Sequence, residues 1–193
     1  FEIDLLDGQK TGLYLDQQVN YELVGQLAKG GNVLDCFSFL GGFALHCAKA
    51  GAANVYGPEQ PLYRIIPRTV FFLLTGRKLQ LHGGGVSTRS FIHMDDVSDA
   101  TWKIATDAPI GETYHISTNR IVSIRELVEM LCNMLDVRFE DAVDVAPERL
   151  GKDSAYWLNS DKVRGLGWSD RVSLETGLSE VIDWARQHFA ELQ

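Results

Sequence analysis

The order of short apolar runs and glycine turns in the first third of the chain points to one class of fold. Residues 32–38 form a short apolar run of the length of a buried strand. Gly41 and Gly42 follow, then a small-residue segment over 43–50 with helical character, and then a second short strand over 53–56. A strand, a turn, a helix and a second strand in this order predict the start of a parallel, doubly wound sheet.

The same alternation continues through the rest of the chain. Ser123 and Glu126 form a capping box that opens a helix, and Asp95 or Asp96 is predicted to cap the helix that follows them. Residues 136–144 carry four acids and are expected to form a solvated edge or turn. Further helices are predicted around 66–74, 97–104, 124–131 and 178–189, and short strands over 78–82, 91–93 and 114–117. We therefore predict an α/β fold, a partly parallel, doubly wound (Rossmann-like) sheet with helices on both faces and a small C-terminal lobe.

The charge balance limits the kinds of partner. The 193 residues carry a formal net charge of −8, and all eleven arginines lie after residue 63. An acidic chain without a broad basic face is not expected to bind a nucleic-acid backbone, whereas a few arginines suffice for a small phosphorylated ligand. No apolar run approaches the roughly 20 residues that cross a bilayer, and no signal peptide is evident, so we expect no membrane partner and a cytoplasmic location. The three cysteines lack metal-ligand spacing, so no metal site is predicted.

Three clusters of glycine and charged residues are candidates for ligand binding. In the first, Arg89 follows the glycine turn 83–85 at the start of a strand; the second contains Arg149, and the third spans 161–168. A strand holds such an arginine rigidly while its planar guanidinium meets phosphate oxygens, so Arg89 and Arg149 together could clamp a diphosphate. Any one of these charges alone is more typical of a solvated or locally paired side chain; together, their spacing indicates more. His93, which alternates with apolar neighbours, is expected to be a hydrogen-bonded structural residue.

From about residue 54 to the end, the chain resembles the C-terminal half of the extended short-chain dehydrogenase/reductases that act on nucleotide sugars, the epimerases and 4,6-dehydratases. The resemblance implies that Arg89 and Arg149 bind the substrate diphosphate and that Asp153 binds the ribose. It also implies that Gln80, Leu81 and His82 line the nucleobase, so the C-terminal lobe would bind substrate. The matching segments are Asn54–Pro58, Ile65–Arg68, Gly83–Val97, Arg149–Asp153 and Leu166–Trp168.

The chemistry that this family performs is hydride transfer through bound NAD, started by a Tyr-x-x-x-Lys pair. None of the six tyrosines has a lysine four residues later, and no Gly-x-Gly-x-x-Gly turn occurs. We therefore assign no catalytic residue. The chain is expected to be the substrate-binding portion of such an enzyme and to be inactive alone, because the NAD fingerprint is absent.

Residues 1–56 carry a different resemblance, to class I S-adenosylmethionine-dependent methyltransferases and in particular to those that modify large-subunit ribosomal RNA. The segments that carry it are Gly8–Gly12, Leu15–Gln17, Val33–Phe43 and Ala48–Ala52. It implies that the strand ending at Asp35 and the turn at Gly41 and Gly42 approach the methionine part of that cofactor. Gln18 and Leu40 depart from the family pattern, and the later methyl-transfer motifs do not appear. The two resemblances meet at 53–57, which suggests a composite of a methyltransferase-like segment, 1–56, and an epimerase/dehydratase segment, 57–193.

Three functions stay open from the sequence. The first is the substrate-binding portion of an NAD-dependent nucleotide-sugar epimerase or dehydratase, and the second is a fragment of an S-adenosylmethionine-dependent rRNA methyltransferase. The third is a non-catalytic module that binds nucleoside diphosphates. The expected partner is a nucleotide sugar or a nucleoside diphosphate, and its base and sugar are open, as is assembly into a homo-oligomer.

Overall fold

The structure of the chain is a computed structural model, and it describes residues 34–36, 48–52, 54–148 and 154–192. Its strands are β1 (Leu34–Cys36), β2 (Ala48–Ala52), β3 (Asn54–Tyr56), β4 (Leu79–His82), β5 (Thr88–His93), β6 (Tyr114–Ile116), β7 (Ile121–Ser123), β8 (Val143–Ala146) and β9 (Ala155–Tyr156). Its helices are α1 (Ile65–Leu74), α2 (Met94–Asp107), α3 (Ile124–Met134), α4 (Phe139–Ala142), α5 (Asp161–Arg164), α6 (Leu174–Gln187) and α7 (Phe189–Leu192). Within these ranges, no helix has both the length and the apolar character to cross a membrane.

One sheet contains β1, β2 and β6, all parallel, with β2 in the centre. The helix predicted over 43–50 is wrong for its last three residues, because 48–50 belong to β2; the remainder of that segment lies outside the described residues. Hydrogen bonding to a neighbour on both edges outweighs the helix propensity of the alanines in Ala48–Ala52. The strand predicted over 32–38 is described only at 34–36, where it is confirmed.

Strand β5 is the centre of a second sheet. Its C-terminal half pairs in parallel with β3, and its N-terminal half pairs antiparallel with β7 and in parallel with β9. Strands β4 and β8 form a separate parallel pair in which Gln80 lies opposite Asp144. The expectation of a solvated edge over 136–144 is wrong in part, because this segment contains α4 and the start of β8. Val143 and Val145 alternate with Asp144 there, which is a short strand pattern obscured by its acids.

The helices bury the faces that their spacing predicts. The apolar stripes of α1, α3 and α6 meet in one core with strand residues of β4 and β5, and α2 packs in a second core with Ile92, Tyr114 and Trp168. The Ser123–Glu126 capping box is confirmed at the start of α3. Helix α2 differs from the prediction: the imidazole of His93 caps it by accepting a hydrogen bond from Asp95 N, and Asp95 and Asp96 lie in the first turn. The α/β class, with parallel strands and packed helices, is confirmed.

Candidate functional site

The glycine turn that precedes β5 needs glycine at each of its three positions. Gly83, Gly84 and Gly85 have φ angles of 59°, 65° and 73°, in the left-handed region that side chains rarely adopt. A Cβ on Gly83 would also collide with the Glu148 carboxylate, and one on Gly85 would lie 2.8 Å from the backbone nitrogen of Arg125. The backbone of the turn therefore lies close to Glu148, and its left-handed φ angles set the direction in which the chain enters β5.

Arg89 follows this turn on β5, where both edges of the strand are paired. It lies opposite Val122 of β7 and opposite Tyr156 of β9. The residue is half-buried, and its Nη1 donates to the backbone carbonyl of Thr88 at 2.7 Å. The backbone of Arg89 is thus held by two neighbouring strands, as predicted for an arginine that presents a rigid fork to an anion.

The three residues predicted to line a nucleobase lie on β4, with different surroundings. Gln80 is exposed, and its Nε2 donates to Asp144 Oδ2 at 3.1 Å. His82 Nδ1 lies 3.1 Å from the carbonyl oxygen of Pro147. Leu81 is only 3% exposed, and its side chain belongs to the core, so only its backbone is available to a ligand. That Gln80, Leu81 and His82 line a nucleobase, through backbone and side chain, stays a prediction.

Asp144 was not predicted as a member of the site. It lies opposite Gln80 in the β4–β8 register, and its Oδ1 accepts from Lys78 Nζ at 3.1 Å. Lys78 and Asp144 are 66 residues apart, a separation that no local periodicity reveals. The strand alternation over 143–145 was the one signal in the sequence that pointed to it.

Arg149 and Asp153 lie outside the described residues, and their flanks are both anchored. Ala146 lies opposite His82 where β4 and β8 end. On the other side, Thr88 N donates to the carbonyl oxygen of Ser154 at 2.9 Å, at the start of β9. The connection therefore begins at the end of β8, beside the end of β4, and ends at β9, beside the start of β5.

The third charged cluster, 161–168, is structural. Arg164 Nη2 donates to Asp170 Oδ1 and to the carbonyl oxygen of Ser117, and Nε donates to Ser160 Oγ at 3.0 Å. The same guanidinium lies over the ring of Trp168. These contacts occupy the guanidinium internally, so Arg164 is not available to a phosphate.

His93 has the structural role predicted for it. Its side chain is 3% exposed, caps α2 through Nδ1 and places Nε2 at 3.2 Å from Glu180 Oε2. The Tyr56 ring packs edge-on against the imidazole. The contacts of His93 with Tyr56, Asp95 and Glu180 therefore connect β3, β5, α2 and α6.

Tyr56 and Tyr114 do not fit the base that NAD-dependent chemistry of this kind needs. The Tyr56 hydroxyl is buried and donates to the carbonyl of Leu174, and burial raises its pKa far above the ordinary value, which disfavours a phenolate. The ring of Tyr114 is contacted on its face by Lys162 Nζ, 4.6 Å from the centroid, and that ammonium donates to Glu112 and Thr113. These side chains therefore supply no base for hydride chemistry, and we derive no step through NAD.

The residues assigned to S-adenosylmethionine remain a prediction. Asp35 lies in the middle of β1, opposite Lys49 of β2. Gly41 and Gly42 lie outside the described residues.

Comparison with known proteins supports the resemblance of the larger segment. Human dTDP-D-glucose 4,6-dehydratase is 33% identical over 143 residues, which are 72% of this chain and 41% of the human protein. The dTDP-glucose 4,6-dehydratase of Mycolicibacterium smegmatis is 33% identical over 150 residues, 75% of this chain and 44% of that protein. The crystal structure of dTDP-glucose 4,6-dehydratase from Streptomyces venezuelae, with NAD and TYD bound, superposes with a TM-score of 0.71 at 27% identity, covering 89% of this chain and 49% of that one.

This chain thus spans less than half the length of these relatives. The family model for GDP-mannose 4,6 dehydratase matches residues 38–181, from within the segment with methyltransferase resemblance to the middle of α6. The match includes the glycine turn, Arg89 and both strands that flank Arg149. By sequence and by fold, the chain belongs to the GDP-mannose 4,6 dehydratase family.

Proposed function

We propose that the chain binds a nucleotide sugar through its diphosphate, as the substrate-binding portion of an NAD-dependent epimerase or 4,6-dehydratase. The observation that carries this proposal is the double strand pairing around Arg89. Strand β5, which holds Arg89, pairs with β9, and the neighbouring β4 pairs with β8. The segment with Arg149 and Asp153 connects β8 to β9, so it begins and ends beside the strands joined by the glycine turn.

The short stretch of chain between Ala146 and Arg149 supports the proposal that Arg149 and Arg89 lie close together. Arg149 is three residues after Ala146, so its Cα can be no more than about 11 Å from that of Ala146. Asp153 directly precedes Ser154, whose carbonyl is bonded to Thr88 beside Arg89. Both predicted ligand residues are thus tethered close to β4 and β5.

The chemistry of these side chains suits a nucleoside diphosphate. Two guanidinium groups donate in-plane pairs of hydrogen bonds to phosphate oxygens and balance the charge of a pyrophosphate. In this proposal Arg89 and Arg149 bind the diphosphate, the Asp153 carboxylate accepts from ribose hydroxyls, and β4 lies along the nucleobase. Because the chain is acidic overall, we expect anion binding only where arginines are clustered.

We expect no turnover from this chain alone. The sequence has no Tyr-x-x-x-Lys pair, and the hydroxyl of the buried Tyr56 donates to the backbone carbonyl of Leu174. Incubation with NAD and a nucleotide sugar should produce no change in NADH absorbance. A change that depends on the nucleotide sugar would contradict this part of the proposal.

Ligand binding to the full chain tests the proposal directly. Thermal unfolding is measured with UDP, dTDP, CDP and S-adenosylmethionine, because a ligand at 100 times its Kd adds about 2.7 kcal/mol of stability. A nucleoside diphosphate should raise Tm, and Arg89→Ala should weaken its binding about tenfold or more. The matched control is Arg186→Ala, since Arg186 is an exposed arginine on α6 paired only with Asp183. Equal affinity of the Arg89 and Arg186 variants would overturn the proposal.

S-Adenosylmethionine binding by residues 1–56 is a second candidate function. Its support is the parallel β1–β2 pair, with Asp35 on the strand that leads toward Gly41 and Gly42 in the sequence. In that case S-adenosylmethionine, and no nucleoside diphosphate, should raise Tm. Loss of that shift in Asp35→Ala would assign the binding to this segment.

A further inference from the structure

The outer face of α2 exposes large apolar side chains. Met94 and Trp102 of this helix are 48% and 71% exposed, and Ile110, in the turn that follows the helix, is 82% exposed. The core face of the same helix is formed by other residues, among them Val97 and Ile104. Large apolar side chains that are grouped on one exposed face are typical of a surface that a partner covers.

The charges beside these side chains favour a protein partner over a lipid or nucleic-acid surface. Three exposed carboxylates lie on α2, those of Asp95, Asp99 and Asp107, against the single ammonium of Lys103. Anionic headgroups and phosphate backbones repel a face with this excess of acid.

The order of the charges along α2 matches a reversed copy of the same helix. Asp95 and Asp99 lie in its N-terminal half, and Lys103 lies in its C-terminal half. A second copy that runs in the opposite direction places its Lys103 beside Asp99 of the first, whereas a parallel copy places Asp99 beside Asp99. Antiparallel helices also bring opposite ends of their dipoles together.

The ion pairs that these residues make within the chain are weak enough to exchange. Lys103 Nζ lies 2.6 Å from Asp107 Oδ2, and Asp99 Oδ2 lies 3.5 Å from Arg171 Nη1. Exposed pairs of this kind contribute little to stability, so the same side chains are available to a second copy.

We propose that the outer face of α2 binds the same face of a second copy of this chain, with the two helices antiparallel about a twofold axis at Trp102. Met94 precedes Trp102 by eight residues and Ile110 follows it by eight. The axis therefore brings the two Trp102 side chains together and places Met94 of each copy near the turn with Ile110 of the other. Such a contact uses one surface twice, as twofold dimers do.

Trp102 is the anchor of this contact. Tryptophan at the centre of an interface typically carries a large part of the binding energy, whereas contacts at the rim carry little. One helix face from each copy is a small interface, so we expect a dimer with a Kd in the micromolar range.

Sedimentation velocity on the full chain, without ligand, tests the proposal. We expect the mass to rise from that of one chain to that of two between about 1 and 200 μM. Trp102→Glu should raise the Kd of the dimer at least about tenfold, because it places two carboxylates at the twofold axis. A wild-type chain that stays monomeric over the whole range would overturn the proposal, and co-sedimentation of that monomer with phosphatidylserine vesicles would assign the face to lipid instead.

The matched control is Trp157→Glu. Trp157 is also an exposed tryptophan, at 57%, but it follows β9 and lies outside α2. The Kd of its dimer should stay at the wild-type value. If Trp157→Glu dissociates the dimer and a folded Trp102→Glu does not, the contact lies on another surface and the proposal is wrong.

Exchange of charges tests the direction of the two helices. Asp99→Lys and Lys103→Glu should each weaken the dimer about threefold, because each places like charges beside one another in the antiparallel pair. The double variant should recover the wild-type Kd, since opposite charges then face each other again. A double variant that dimerises no better than the single variants would contradict the antiparallel arrangement.

A further variant keeps the test decisive if Trp102→Glu is poorly folded by circular dichroism. Ile110→Glu changes a side chain outside the helix that is almost fully exposed, so the fold should be retained. We expect its dimer Kd to rise about threefold or more. A wild-type Kd in the Ile110→Glu chain would count against the contact between Met94 and the turn of the second copy, and so against the proposed axis.

Discussion

The indole N–H of Trp168 donates to the backbone carbonyl of Asp96 at 3.2 Å, although the two residues are 72 positions apart. The Asp96 carboxylate in turn accepts hydrogen bonds from the backbone N–H groups of Arg171, at 2.8 Å, and Val172, at 3.1 Å. Asp96 is 2% exposed, so these bonds are shielded from water. The Asp-Asp-Val and Leu-Gly-Trp segments that carry the family resemblance are therefore two halves of one structural contact.

Replacing Asp96 should destabilise the chain strongly. Asp96→Ala leaves two backbone N–H groups without their acceptor, and we expect a loss of about 3 kcal/mol in the free energy of unfolding. Urea denaturation followed by circular dichroism measures it. The matched control is Asp99→Ala, whose carboxylate makes an exposed ion pair with Arg171 and should change stability by about 0.5 kcal/mol or less. Similar losses in the two variants would refute the role given to Asp96.

Gly177→Ala should destabilise the chain, although a glycine-to-alanine change usually stabilises a helix. Alanine normally stabilises a helix interior by about 1 kcal/mol. At Gly177 in α6, however, a Cβ would collide with the Tyr56 hydroxyl and lie 2.9 Å from His93 Cδ2. We expect Gly177→Ala to lower the unfolding free energy by about 1–2 kcal/mol because of overpacking. Adding Tyr56→Phe should recover part of the loss, and a stabilised single variant would contradict the close packing.

Substitution of Arg164 should lower the stability of the chain without affecting ligand binding, whereas substitution of Arg89 should weaken ligand binding. Arg164→Ala removes the bonds to Asp170, Ser117 and Ser160 in a partly buried site, and we expect a loss of about 2 kcal/mol in stability. Nucleoside diphosphate affinity of the folded variant should stay at the wild-type value, whereas Arg89→Ala should lose it. Calorimetric Kd values at a temperature where all variants are folded provide the measurement. A parallel loss of affinity in Arg164→Ala would place the third cluster in the binding site.

The capping box of α3 should give a pH-dependent contribution. Hydrogen bonds from the Ser123 backbone N–H and side chain hold the pKa of Glu126 below its ordinary value. The pKa is lower in the folded chain than in the unfolded chain, so this stabilisation is present above the ordinary pKa and is lost as the pH falls through the folded pKa. The stability difference between wild type and Glu126→Ala, measured by urea denaturation, should therefore be largest near pH 7 and disappear in strong acid.

The pH-independent half of the box is Ser123. Its hydroxyl accepts from Glu126 N at 3.0 Å, so Ser123→Ala should cost about 1 kcal/mol at pH 7. The matched control is Ser98→Ala in α2, because the exposed Ser98 hydroxyl donates to the carbonyl of Met94 in the same helix. A stability gap for Glu126→Ala that is the same at pH 7 and pH 3 would disprove the ionic part of the box.

The long amphipathic helices were predictable because their apolar spacing is a local property. The stripe of α6 and the box at Ser123 could be assigned from neighbouring residues alone. The first three residues of β2, 48–50, were wrongly predicted as helix because the strand is stabilised by pairing with β1 and β6, which lie elsewhere in the sequence. Short strands of small residues carry little periodicity of their own.

In the candidate site, the position of Arg89 could be predicted from the sequence, whereas the hydrogen bond between Gln80 and Asp144 could not. Arg89 follows a run of glycines whose positive φ angles only glycine adopts freely, and this local signal led to its position on β5. The Gln80–Asp144 contact depends on the β4–β8 register across 64 residues, which spacing cannot reveal. The roles of Arg149 and Asp153 stay predictions that the ligand experiments test.

The pairing of β2 with β6 joins the two segments that the sequence suggested were of different origin. Ala50 and Gly51 lie opposite Tyr114 and His115, so β6 receives backbone hydrogen bonds from residues before Gly57. A chain trimmed to residues 57–193 would leave that edge of β6 bare, with N–H and C=O groups open to any passing strand. Such a fragment is expected to aggregate at concentrations that the intact chain tolerates, because β2 no longer covers this edge of β6.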